Sequence, residues 1–246
     1  MRGGAAEPPP PPPLAPAPSA APEADFAKYR LVFEKTGRAR YISHLDLMRT
    51  LTRAFARADV PLRHTEGFNP HPRVSLALPL PVGQESVCEL MDFETDIKIP
   101  PESIPGRVNP FMPEGISARA VTAAERAASQ IKWIDTCIAL EYDDPRPGAA
   151  DELERFFSQG RIIVQKRSKR SVLELDLAAS MRLSSVQALG QRSVDIRALL
   201  SANSPAINPE LLVAAISRDM AELSPDYVQA SRIRLFDSDM RQFAQL

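Results

Sequence analysis

From Tyr29 the chain alternates apolar and polar side chains through Tyr29-Arg-Leu-Val-Phe-Glu-Lys35, the period of two of a half-buried strand. The period then changes. Leu47, Met48, Leu51, Ala54, Phe55 and Ala58 recur at helical spacing and predict a helix ending near Asp59, before Pro61. Ser43 stands where an N-cap belongs, with Asp46 three residues on, and Ile42 and Leu47 occupy the positions of a hydrophobic staple. Val74-Ser-Leu-Ala-Leu-Pro79 reads as a second strand and Val87-Cys-Glu-Leu-Met-Asp-Phe-Glu94 as a third. Pro100, Pro101 and Ser103 open a short helical or irregular stretch, and Gly115 to Val121 completes the sheet. Strand, helix, strand, strand, short helix, strand is the order of a ferredoxin-like α/β sandwich.

The second half is expected to repeat this architecture, although no residue-level repeat is visible. Trp133 to Tyr142 alternates as a strand and Asp151 to Ser158 reads as a helix. Ile162 to Lys166 and Val172 to Leu177 form a hairpin across the basic turn Arg167-Ser-Lys-Arg-Ser171. Strands follow at Met181–Leu189 and Ser193–Leu200, then a helix over Pro209–Glu222 capped by Asn208, and Ile233–Phe236 closes the sheet. The expected class is therefore α+β, with two related halves and mostly antiparallel sheets. The halves are placed at residues 28–124 and 125–246, after a tail over 1–27.

Composition sharpens this picture further. The tail is dominated by Pro and Ala, with Pro8 through Pro13 unbroken, and buries too little apolar surface to offset its ordering entropy, so it reads as disordered or polyproline II. No uninterrupted apolar stretch follows Arg2, and no membrane span is expected. The net charge of −1 and pI near 6.3 argue against a surface that attracts nucleic acid everywhere, leaving local patches. The two cysteines, Cys88 and Cys137, have no companions at ligand spacing and fit buried thiols in a cytoplasmic protein. The chain holds no cysteine pattern for an iron–sulfur cluster, no phosphate loop, no dinucleotide-binding glycine pattern and no Gly-x-Ser-x-Gly, so no cofactor is expected.

Candidate chemistry concentrates between Arg38 and Gly83, a block that holds all three histidines, His44, His64 and His71. Arg49, Arg53 and Arg57 recur every four residues and stack along one helix face, either a phosphate-tracking surface or a solvated face partly neutralised by Asp46 and Asp59. His44 is expected at the first helical residue, at the edge of the apolar face near Met48, Leu51 and Phe55. In Gly67-Phe-Asn-Pro-His-Pro-Arg73, Pro70 and Pro72 confine Asn69 and His71 to extended geometry, which suits a rigid hydrogen-bonding loop as well as a plain connector. Arg40, Tyr41, His44, Asp46, Asn69, His71 and Arg73 are the candidate substrate contacts, and His44 and His71 the candidate acid–base groups. The three histidines match no metal-ligand signature, and no metal is expected. Lys166, Arg167, Lys169 and Arg170 form a basic hairpin tip open to RNA, an acidic partner or solvent.

Arg40-Tyr-Ile-Ser-His-Leu-Asp-Leu-Met-Arg49, then Gly67 to Arg73, then the Leu-Pro-Leu-Pro-Val-Gly run ending at Gly83, resemble the radical-SAM-linked family, a bacterial domain of unknown function. The resemblance runs from about Tyr29 to the C-terminus. It implies a cytoplasmic protein encoded beside, or fused to, a radical SAM protein with a B12-binding-like region, and it brings no catalytic residue with it. Ser171 stands where that family usually has glycine after its basic cluster, and the Pro/Ala tail falls outside the resemblance. The function expected on this basis is an accessory protein that binds RNA, tRNA or ribosomal RNA, and presents it to the radical SAM partner, with no membrane or DNA partner. The alternatives are an RNA-processing or RNA-modifying enzyme using His44 or His71, and a scaffold that contacts no nucleic acid.

Overall fold

The alternation at Tyr29–Lys35 becomes the central strand of a βαββαβ unit in the computed structural model, which describes residues 26–167 and 172–243. That unit comprises β1 (Ala27–Lys35), α1 (His44–Arg57), β2 (Val74–Leu76), β3 (Glu85–Thr95), α2 (Ile104–Val108) and β4 (Ile116–Ala123). A second follows: β5 (Trp133–Glu141), α3 (Ala149–Phe157), the hairpin β6 (Ile163–Arg167) and β7 (Val172–Asp176), the single turn α4 (Leu177–Ser180), β8 (Met181–Ala188), β9 (Ser193–Ser201), α5 (Pro209–Asp219) and β10 (Tyr227–Phe236). Residues 1–25 of the expected tail lie outside the described residues, and among those described no helix is long and apolar enough to cross a membrane.

One sheet runs through both units in the order β4-β1-β3-β10-β5-β9-β8, with β2 also on β3. Each unit thus orders its own strands fourth, first, third, second, all antiparallel, and the β6–β7 hairpin is an insertion forming a small sheet of its own. The fold is the expected α+β sandwich. The units are joined by one short parallel pairing, Ser231 with Glu85 and Arg232 with Ser86.

Period-two alternation sends alternate side chains of β1 and β3 to opposite faces. Leu31, Phe33, Met91 and Phe93 pack under Leu47, Leu51 and Phe55 of α1, where the Phe55 and Phe93 rings meet edge to face at 4.9 Å. Val32, Cys88 and Leu90 join a separate cluster with Ile131, Ala202, Leu235 and Phe243. In the second unit α3 and α5 cover Ile138, Leu140, Ile196 and Ala198 with Leu153, Phe157, Leu212 and Ile216.

Two elements differ from expectation for local reasons. The second strand stops at Leu76 rather than Pro79, because Leu78 takes a left-handed φ of 47° and Pro79 lacks an N–H for a ladder. The last strand begins at Tyr227, well before Ile233, and its middle residues Ser231 and Arg232 pair with the first unit.

Candidate functional site

The turn between β1 and α1 is held from several directions. The Thr36 N–H donates to Gly115 O at 2.8 Å, and a Cβ on Gly115, whose φ is +84°, would lie 2.2 Å from Thr36 O. Only glycine tolerates that approach. Gly83 N–H donates to Arg40 O, and the buried Lys35 ammonium donates to Arg40 O at 3.2 Å and Ile42 O at 2.9 Å. Burial lowers the pKa of Lys35, and the nearby Glu89 carboxylate opposes that shift.

This clamp aims the Arg40 side chain at the second unit. Nη2 donates to the hydroxyls of Tyr41 and Tyr227, each at 3.0 Å, while Nη1 lies 3.6 Å from Glu85 and the guanidinium sits 4.9 Å from the Tyr41 ring centroid. Both phenol rings remain in solvent, Tyr41 60% and Tyr227 45% exposed. Arg40 and Tyr41 are among the candidate contacts read from the sequence; Tyr227 is not, because nothing local in the sequence links the start of the last strand to this turn.

Ser43 caps α1 as expected, accepting from Asp46 N–H at 3.2 Å while its hydroxyl donates to the Asp46 carboxylate at 2.8 Å. Ser43 first, and then Arg49 at 3.1 Å, hold the Asp46 carboxyl below its ordinary range. His44 is the first residue of the helix and is exposed. Arg49, Arg53 and Arg57 all line the exposed face, Arg57 over the Phe111 ring at 4.8 Å. Of the three, only Arg49 has an acidic partner among the described residues.

The Pro-bounded loop sits at the other end of α1. Leu62 bridges to Thr95, His64 to Pro72, and Arg63 N–H donates to Glu94 O, which fastens the loop to the C-terminal end of β3. Thr65 and His71 close it with two hydrogen bonds, and Phe68, Asn69 and His71 are exposed. Arg63 and Arg73 flank Glu94 at 3.8 and 3.5 Å. His64 and Pro72 share an open hollow of about 650 Å³ with Thr52, Arg53 and Ala56 of α1. Fourteen helical residues span about 20 Å. His44 is therefore at one end of the helix and Asn69, His71 and Arg73 at the other, so these residues do not form one pocket. Among the described residues no group of three or more His, Cys, Asp or Glu is placed to hold a metal.

Sequence reasoning missed the polar cluster between the units. Arg232 on β10 donates from Nη1 to Glu89 Oε1 at 2.8 Å and to Leu78 O at 2.9 Å. Glu89 and Arg232 look like ordinary outward charges of alternating strands, and only the pairing of β3 with β10 buries them. The Gln84 side chain donates to Asn208 Oδ1 at 2.7 Å across the same junction, and Lys166 donates to Ala206 O at 2.7 Å. Lys169, Arg170 and the Arg167 side chain lie outside the described residues.

A family profile described as an uncharacterized protein conserved in bacteria (DUF2344) matches residues 28–209. A search of curated proteins returns no match. Among solved structures, an unknown protein from Galdieria sulphuraria is 11% identical with a TM-score of 0.22, and Thermus thermophilus Cse3 bound to an RNA representing a pre-cleavage complex is 12% identical with a TM-score of 0.19. Each alignment covers 84% of this chain and 98% of the other. At these scores neither likeness carries an argument.

Proposed function

The chain belongs to the uncharacterized bacterial family DUF2344, and we propose that it is an accessory subunit that binds RNA, tRNA or ribosomal RNA, and presents it to a radical SAM protein with a B12-binding-like region. The observation that carries the RNA reading is the exposed row of Arg49, Arg53 and Arg57 along α1, two of them without an acidic partner among the described residues. Successive guanidinium groups at this spacing rise about 6 Å along the helix, a track for a phosphate backbone rather than a point contact.

The ends of the track have the chemistry that contacts bases. Tyr41 and Tyr227 offer exposed ring faces beside the Arg40 guanidinium, and a ring face stacks on any base. At the other end, Asn69 and His71 present hydrogen-bonding side chains and Phe68 a fully exposed ring. The partner rests on the resemblance carried by Arg40–Arg49 and Gly67–Arg73. The test is affinity purification of the full chain from its native cell, with and without nuclease. Recovery of the radical SAM protein together with RNA is the expected outcome. Recovery of the protein partner alone, unchanged by nuclease and free of bound RNA, favours the scaffold reading and removes this one.

A further inference from the structure

Away from the α1 track, the two units enclose a cleft of about 330 Å³. Leu78, Ile134, Leu200 and Ile207 form apolar wall, and Arg232, Thr136 and Lys166 bring polar groups to it from β10, β5 and β6. Apolar walls with a few convergent polar groups are the usual make-up of a small-molecule site.

Arg232 supplies the orienting group. The residue is only 7% exposed, and both of its hydrogen bonds leave from Nη1, to Leu78 O and Glu89 Oε1. Nε and Nη2 make none among the described residues. They are not sealed away either: among those residues Asp195 Oδ1 is the one side-chain atom both fully buried and unbonded. The free Nε–Nη2 edge of a guanidinium is a planar fork that matches the two oxygens of a carboxylate. Glu89 engages only the Nη1 side of the guanidinium, which leaves the Nε–Nη2 edge for a second anion. Lys166 adds a second cation, with one of its three protons engaged by Ala206 O.

The geometry points to this cleft as a binding site for a small organic carboxylate, its two oxygens on the Arg232 Nε–Nη2 edge and its apolar body against Leu78, Ile134, Leu200 and Ile207. The volume suits a single ring system or short aliphatic chain. The site lies apart from the α1 arginine row and shares only Lys166 with the candidate nucleic-acid contacts.

The test is calorimetric titration of the full chain with benzoate and 2-naphthoate, against benzamide and 2-naphthamide, which keep the ring and lose the charge. Because replacing Arg232 disturbs a buried ion pair, the variants are Lys166→Gln and Ala206→Phe, at positions outside the core clusters, with folding checked by circular dichroism. At least one acid is expected to bind saturably, its amide at least tenfold more weakly, and each variant to weaken the acid at least fivefold. Ala206→Phe is expected to leave RNA affinity unchanged. Amides that bind as well as the acids, acid binding untouched by Ala206→Phe, or no binding of either acid at millimolar concentration overturns the proposal.

Discussion

Arg232 Nη1 lies 2.8 Å from Glu89 Oε1, with both side chains almost wholly removed from water and each contributed by a different βαββαβ unit. Taking one partner away leaves the other charge buried and unpaired, which costs about 3–5 kcal/mol. Arg232→Met and Glu89→Gln are each expected to destabilise the protein by about that much in urea denaturation. The double variant is expected to lose clearly less than the sum. Strict additivity would mean the pair does not couple the units.

Gly115 tests the clamp under Arg40. Its φ of +84° and the 2.2 Å approach of a Cβ to Thr36 O predict that Gly115→Ala destabilises by more than about 1 kcal/mol. Gly106, in α2 and with open space around its Cβ position, is the control. Gly106→Ala is expected to be neutral or to stabilise by up to about 1 kcal/mol. Thermal melts of the two variants moving in the same direction would contradict the geometry.

Burial pushes the Cys88 thiol up to about 12 from 9.0. The folded state therefore holds its proton where the unfolded chain has released it, and stability falls as pH rises past the unfolded value. The slope is about 1.4 kcal/mol per pH unit above about pH 9. A Cys88→Ala variant should lose less stability than the parent between about pH 9 and 11. Parallel unfolding curves over that range would show that the thiol is not sequestered.

Much of this molecule was legible where its causes are local. The cap at Ser43, the apolar stripe Leu47–Leu51–Phe55 and the alternation of Trp133–Glu141 depend on neighbours a few residues away, and each stands where the pattern put it. What could not be read depends on contacts between distant segments. His44 and His71 look like neighbours in one motif, yet α1 carries the chain along the sheet between them, so their loops emerge at opposite ends. Tyr227 joins Arg40, and Arg232 joins Glu89, only because β10 lies beside β3, a pairing confined to two residue pairs with no periodic signature.

The Arg40 platform makes its own prediction. Stacking of one base on an aromatic side chain is worth about 1–3 kcal/mol. Tyr41→Ala and Tyr227→Ala are each expected to weaken RNA affinity by about 5- to 150-fold, because each removes an exposed ring without opening the core. Fluorescence anisotropy with labelled tRNA checks it, and unchanged affinity in both variants would take the tyrosines out of the interface.

If α1 tracks an RNA backbone as proposed, RNA affinity depends steeply on salt and the α1 arginines carry part of that dependence. For the parent chain the logarithm of the association constant should fall linearly with the logarithm of salt concentration. Replacing Arg49, Arg53 and Arg57 together by Gln should reduce that slope by about 2–3, with the circular dichroism spectrum unchanged. Undetectable RNA binding, binding indifferent to salt, or a triple variant with the parent's slope would rule out an RNA-tracking α1.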